Sequence, residues 1–220
     1  MTLDTQSLIK HHVCVGSLSN VLKPATRKYW SDVSGSFITF DPELVVQQIS
    51  AARQKIKKYL DEKKNILIIS QKDMIREEVV SLCESRGLHY MVHKTPGGFL
   101  TNFNTLIKKI QVMNEKKMFL QSENFASITK KEQEQARRVF SKVERVYAGV
   151  AKLESKPDLV IVIDGAQMHS VVKELALTGI DNIVMASSDF SQRRPANNLI
   201  TMNVSSYDAL TYVLRVLFAS

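Results

Sequence analysis

The chain has 220 residues, 44% of them hydrophobic, with only 8 glycines and 5 prolines, which is enough apolar material to bury one sizeable core. No apolar run approaches the roughly 18 residues of a membrane-spanning helix, and the two cysteines, Cys14 and Cys83, match no disulfide or metal spacing. The net charge of +8, from 30 Lys and Arg against 22 Asp and Glu, points to a polyanionic partner, with nucleic acid first, an anionic membrane surface second and a merely solvated basic surface third. A reducing compartment fits the cysteines, with Cys83 expected on the buried face of a helix. The N-terminus has an early acid, no apolar segment and no Arg-rich amphipathic presequence, so no export signal is expected.

Residues 1–40 read as an irregular arm. It carries Lys10-His11-His12 and then Lys23, Arg27 and Lys28 ahead of Tyr29-Trp30. Basic residues beside aromatics suit a phosphate backbone with stacked bases, and aromatics also serve as anchors of an arm on a core. His11 and His12 point apart on either a helix or a strand, and His89, His93 and His169 supply no spaced partner for a metal. Phe37–Phe40 reads as a short strand. Asp41-Pro42-Glu43 then gives an N-cap, a first-turn proline and a first-turn acid, so a helix should follow with Val45, Ile49, Ala52, Ile56 and Tyr59 inward. Asn65–Ser70 is a continuous apolar run, as in a strand buried on both faces. Ile75, Val79, Leu82 and Cys83 line the next helix, which Arg86-Gly87 ends before a strand at 88–93.

Between that strand and the next helix lies Lys94-Thr95-Pro96-Gly97-Gly98, followed by Thr101 and Asn102. Two adjacent glycines free the backbone for positive φ and close approach, and the first N–H groups of the new helix favour an anion. Thr101 and Asn102 are its candidate caps. The section from Thr101 to Leu153 is about twice as long as one crossover helix needs. It reads as two helices, the first with Phe103, Leu106, Ile107, Ile110 and Met113 inward. The second opens on the capping box Thr129/Glu132 and continues with Ala136, Phe140, Val143, Tyr147 and Val150. A coiled-coil-like hairpin with its tip at 119–127 is therefore expected. Its outer faces carry Lys108, Lys109, Lys116, Lys117, Lys130, Lys131, Arg137, Arg138, Lys142 and Arg145.

Strands at 158–164, 182–186 and 199–204 then alternate with helices, and the loop before the last of them holds Arg193-Arg194-Pro195. The fold class expected is α/β, a three-layer doubly wound five-stranded parallel sheet (flavodoxin-like) with an inserted helical hairpin. The sheet domain takes 1–100 and 154–220, and the hairpin takes 101–153. The carboxyl ends of the strands hold no dinucleotide or P-loop signature and no nucleophile elbow. Asp164 and Asp189 end two strands, where they read as caps of the following turns or as metal-binding carboxylates. Binding is favoured over catalysis; the alternative is a nucleotide- or phosphate-dependent enzyme that uses Asp164 and the glycine junction.

The run Gly97-Gly98-Phe99-Leu100-Thr101-Asn102-Phe103-Asn104-Thr105 resembles the G-G-x-L-T-N-W/F-x-T signature of the bacterial-type small-subunit ribosomal protein two family. Ile128-Thr129-Lys130-Lys131-Glu132 is similar to its L-T-K-K-E, Ala148-Gly149-Val150 to its G-G-I/V, and Pro157-Asp158 running to Asp164 to its P-D-x-x-x-x-x-D. Lys173-Glu174, Ala176 and Gly179-Ile180 resemble its x-E-A-x-x-x-G-I, and the likeness runs in order from about Val13 to Leu217. Cys14-Val15-Gly16-Ser17 stands where the family has H-F-G-H, Thr95-Pro96 where it has a tryptophan, Ser187–Gln192 where it has D-T-N-x-D-P, and Asp181 where it has the proline of G-I-P.

The resemblance implies a structural, non-catalytic protein of the small ribosomal subunit, without cofactor or metal. It implies contact with small-subunit rRNA, with neighbouring ribosomal proteins and, in bacteria, with the large mRNA-binding first protein. The implied setting is a ribosome in a bacterial cytoplasm or an organelle matrix, a mitochondrion before a plastid. The candidate RNA-binding residues are Lys23, Arg27, Lys28, Lys94, Thr95, Gly97, Gly98, Thr101, Asn102, Lys108, Lys109, Lys130, Lys131, Arg137 and Arg138.

Overall fold

A strand of Leu159–Ile163, Leu-Val-Ile-Val-Ile, is buried along its whole length in the computed structural model, which describes residues 3–34, 36–191 and 198–219. Burying such side chains contributes about 1.5–3 kcal/mol each, and a run without polar alternation requires apolar cover on both faces. The chain supplies that cover in sequence. An N-terminal helix α1 (Thr5–Lys10) precedes strands β1 (Val15–Leu18), β2 (Trp30–Ser34) and β3 (Phe37–Phe40). Then come α2 (Pro42–Asp61), β4 (Ile66–Ile69), α3 (Arg76–Arg86) and β5 (His89–Met91). The insertion holds α4 (Phe103–Leu120), α5 (Glu123–Ser127) and α6 (Lys130–Tyr147). The buried strand is β6, followed by α7 (His169–Thr178), β7 (Asp181–Ala186), β8 (Asn198–Thr201) and α8 (Tyr207–Leu217).

The five strands from β4 on form a parallel sheet in the order β5-β4-β6-β7-β8, the flavodoxin-like arrangement, with Ile66 opposite Leu159 and Ile161 opposite Ile183. One face is covered by α1, α2, α3 and α8, which contribute Leu8, Ile49, Val79 and Leu210 among others. The other is covered by α7 and by the inner faces of α4 and α6, through Phe103, Ile110, Phe140, Tyr147 and Leu175. The local signals act as the sequence indicates. Asp41 caps α2, the Thr129/Glu132 box caps α6, and Gly87 and Gly179 end α3 and α7 in the left-handed conformation at φ +67° and +68°.

Three expectations need correction. The arm is structured: β1, β3 and β2 make a second, antiparallel sheet, interrupted by register shifts at Val15/Leu18 and Trp30/Asp32 that spoil the alternation a strand would show in sequence. The Ser17 and Lys23 amides latch it to the loop after β7, donating to Ser188 Oγ at 2.8 Å and Ser188 O at 2.9 Å. Strands β5 and β8 are shorter than their apolar runs because they are the two sheet edges, paired on one side only. The hairpin tip contains the additional helix α5. Gln192, Arg193, Arg194 and Pro195 of the expected loop lie outside the described residues.

The insertion returns against the β5 edge through a 3-10 turn at Ala148–Val150. A Cβ on Gly149 would meet Tyr90 O at 2.3 Å and Tyr90 Cδ2 at 2.4 Å, so the turn approaches the edge as closely as backbone allows. Gly149→Ala is therefore expected to cost about 1–3 kcal/mol by overpacking. Gly97→Ala, with nothing within 4 Å of its added Cβ, should stay within about 0.5 kcal/mol of the parent. Urea denaturation of the two variants checks both values.

Candidate nucleic-acid interface

The glycine junction is organised by a carboxylate. After β5 the backbone turns at Gly98, φ +78°, and directs three N–H groups to one point. Gly98 N–H donates to Glu174 Oε1 at 2.7 Å, and the amides of Leu100 and Thr101 donate to Glu174 Oε2 at 2.8 and 3.3 Å. Glu174 stands on α7, so this contact ties the exit of the insertion to the helix beneath it. The anion that the glycine pair and helix start were read as awaiting is thus internal. The amides of Gly98 and Thr101 are engaged and leave no cradle for an rRNA phosphate, which corrects that expectation for the junction.

The neighbouring candidates separate by environment. Asn102 occupies the N-cap position of α4, but its side-chain oxygen accepts from the Thr105 hydroxyl at 2.9 Å instead of from a backbone N–H, so it does not cap in the expected manner. Gly97 and Lys94 are exposed, whereas the Thr95 hydroxyl is buried without a hydrogen-bond partner. Sequence reasoning gave Glu174 no role. Its signal was its place in the x-E-A motif, but nothing local marks a helical glutamate as an internal ligand.

The crevice between β4 and β6, where the strand order reverses, is bridged by the chain itself. Lys72 Nζ lies 2.8 Å from Asp164 Oδ2, with side chains 17% and 10% exposed, while Asp164 Oδ1 accepts from Gln167 N–H at 3.0 Å. Asp164 sits at φ +67°, a conformation held by these contacts. It is a cap of the turn that follows, as one of the two readings had it. Asp189 lies close by, and burial together with the Asp164 charge pushes its carboxyl above the ordinary range. An enzyme using Asp164 and the glycine junction would find the first paired with a lysine and the second filled by Glu174.

The exposed cations divide into free and committed groups. Lys108 and Lys109 on α4 and Lys130 and Lys131 on α6 are exposed and form no ion pair among the described residues. Two lysines in the first turn of α6 oppose the partial positive charge of the helix terminus, so their position is not explained by helix stability. Arg138 is paired with Glu134 one turn away, and the Arg137 guanidinium lies 5.3 Å from the centroid of the Phe125 ring. On the arm, Lys23 and Arg27 are exposed, and the Lys28 ammonium rests 4.8 Å from the centroid of Tyr29. Tyr29 and Trp30 pack against the core, with Trp30 Nε1–H donating to Thr26 Oγ1 at 3.2 Å, so both act as anchors. Lys23 and Lys94 lie beyond the carboxyl ends of β7 and β5, on the side of the sheet from which the hairpin departs.

At the hairpin base Arg145 Nε donates to His93 Nδ1 at 3.5 Å, a contact sequence spacing could not disclose across 52 positions. Burial, reinforced by Arg76 and Arg145, lowers the His93 pKa, and burial with Lys152 lowers that of His89. Both rings are then protonated more readily in the unfolded chain. Their effect on stability is absent well above the ordinary value near 6.5 and becomes unfavourable as pH falls below it. Denaturant midpoints measured between pH 7 and 5.5 should fall, and fall less in the His89→Gln/His93→Gln double variant. Glu174→Ala should lose about 2–3 kcal/mol, since three N–H groups lose a charged acceptor. The emptied cradle should also let inorganic phosphate raise the Tm of Glu174→Ala more than that of the parent, a comparison readable by calorimetry.

Residues 8–220 match the family model described as Ribosomal protein S2. Among curated relatives, the small ribosomal subunit protein uS2 of Porphyromonas gingivalis is 27% identical over 174 residues, covering 79% of this chain and 62% of the relative. That of Amoebophilus asiaticus is 28% identical over 189 residues, covering 86% and 60%, and that of Fusobacterium nucleatum is 26% identical over 185 residues, covering 84% and 75%. The chain thus spans about three fifths of the length of the first relatives it matches. With the family match extending over nearly the whole sequence and the flavodoxin-like sheet beneath it, the chain belongs to the ribosomal protein S2 family.

Proposed function

We propose that this protein is a structural component of the small ribosomal subunit that binds small-subunit rRNA by charge and shape. The observation that carries the reading is the set of exposed lysines on the insertion that form no ion pair among the described residues, Lys108, Lys109, Lys130 and Lys131, the last two against the polarity of their helix. Lysines on an extended helical pair suit phosphates along a structured RNA, where recognition proceeds through the backbone more than through base edges. In this reading 101–153 is the RNA-reaching hairpin, and 1–100 with 154–220 is the body that holds it. Lys23, Arg27, Lys28 and Lys94 extend the same surface, and Arg137 and Arg138 join it at the cost of their present contacts. Thr95, Gly97 and Asn102 flank the surface, with no phosphate held by the Gly98 or Thr101 amides. Neighbouring small-subunit proteins complete its surroundings, and the large mRNA-binding first protein is a further partner where that protein exists. A bacterial cytoplasm or a mitochondrial matrix is the setting.

The protein should co-sediment with the small subunit at low salt. Binding of the free protein to small-subunit rRNA should weaken about 100-fold between 50 and 200 mM salt if about four phosphates are neutralised. Charge reversal of Lys108, Lys109, Lys130 and Lys131 to Glu should reduce that salt dependence and lower incorporation at least tenfold without lowering the urea midpoint. A protein found only at the top of the gradient at low salt would refute the ribosomal reading; unchanged incorporation of the charge-reversed variant would remove the hairpin lysines from it.

A further inference from the structure

The face of the sheet opposite the hairpin carries a groove of the contrary charge. Helices α3 and α8 leave between them a cleft of about 480 Å3 lined by Glu77, Glu78, Ser81, Leu82, Thr211 and Leu214, among others. From this surface we infer a docking site for a basic polypeptide segment of a neighbouring small-subunit protein, an assignment that rests on the ribosomal reading above.

The charges and the layout around the groove support that occupant over RNA. In a chain of net charge +8, the stretch leading into and along α3 is acidic, with Asp73, Glu77, Glu78 and Glu84. The cations beside it are turned to other work: Arg76 pairs with Asp73, and Arg86 donates to the Phe218 carbonyl at 2.5 Å. Arg215 alone remains a cation in the lining. Glu77 has no ion pair among the described residues, and the Glu78 carboxylate is fixed by the Tyr207 hydroxyl, which holds it in place. Phosphates brought against these carboxylates would be repelled, whereas a Lys or Arg side chain can lay its apolar stem along Leu82 and Leu214 and reach the acids with its charged end. Because α3 and α8 pack in the core layer opposite α4 and α6, a basic peptide in the groove and RNA on the hairpin do not compete.

The test places a photoreactive benzophenone amino acid at Ser81, an exposed position on the groove, in chains assembled into small subunits, with the same residue at Lys108 for comparison. Gradient-purified subunits are irradiated and the adducts sequenced by mass spectrometry. The Ser81 position should cross-link to a Lys- and Arg-rich protein segment, and the Glu77→Lys/Glu78→Lys variant should reduce that adduct at least tenfold while the amount of chain in the subunit peak stays constant. An adduct with rRNA, an adduct with a segment that is not basic, an adduct insensitive to the charge reversal, or no adduct in subunits that do contain the chain would each overturn the groove assignment and leave the ribosomal reading standing. Absence of every labelled chain from the subunit peak would overturn both.

Discussion

Three backbone N–H groups that meet on the carboxylate of Glu174 set the geometry of the insertion. An α/β sheet can pass its chain into a long excursion only if the exit is fixed, because a loose junction would let the helices detach from the face they cover. Here the left-handed Gly98 directs the amides, and a charge on α7 fixes them, so the excursion is fastened to a helix of the layer it joins. The apolar inner faces of α4 and α6 then continue the core beyond the sheet, and the Lys72–Asp164 pair closes the crevice left at the strand reversal. The places where this fold class commonly receives a ligand are therefore taken up by internal contacts, while the hairpin cations and the acidic groove lie open.

Much of the framework could be read from local pattern. Continuous apolar runs gave the buried strands, helical spacing gave α2, α4 and α6, and Asp41, Thr129, Gly87 and Gly179 marked helix ends, because each of these depends on residues close in sequence. The antiparallel arm was not legible. Its strands are short, bulged and latched through Ser188, a partner 171 positions away from Ser17. The junction was legible in half: its glycines announced an anion, but whether the anion came from outside or from Glu174, 76 positions from Gly98, is a property of the three-dimensional packing. The cations divided likewise. Sequence shows that they are numerous, and only the fold shows that Arg138 answers Glu134 while Lys130 and Lys131 answer nothing among the described residues.

Electrostatics give the two layers different characters. Hairpin lysines that form no ion pair among the described residues keep the hydration and counterions that a polyanion displaces. The α3/α8 groove sets Glu77 and Glu78 beside Leu82 and Leu214, so acids and apolar side chains share one lining. The two surfaces lie on opposite sides of the buried sheet, each over its own core layer.

The close approach of Gly149 to Tyr90 has a mechanical meaning. Helices of 18 residues are about 27 Å long, so a tilt of about 5° at one end displaces the other by about 2 Å. The outgoing helix is pinned by Glu174 and the returning one by a contact that leaves no room for a methyl group. Two such fixings at the foot of a lever restrict the tilt on which the position of its far end depends.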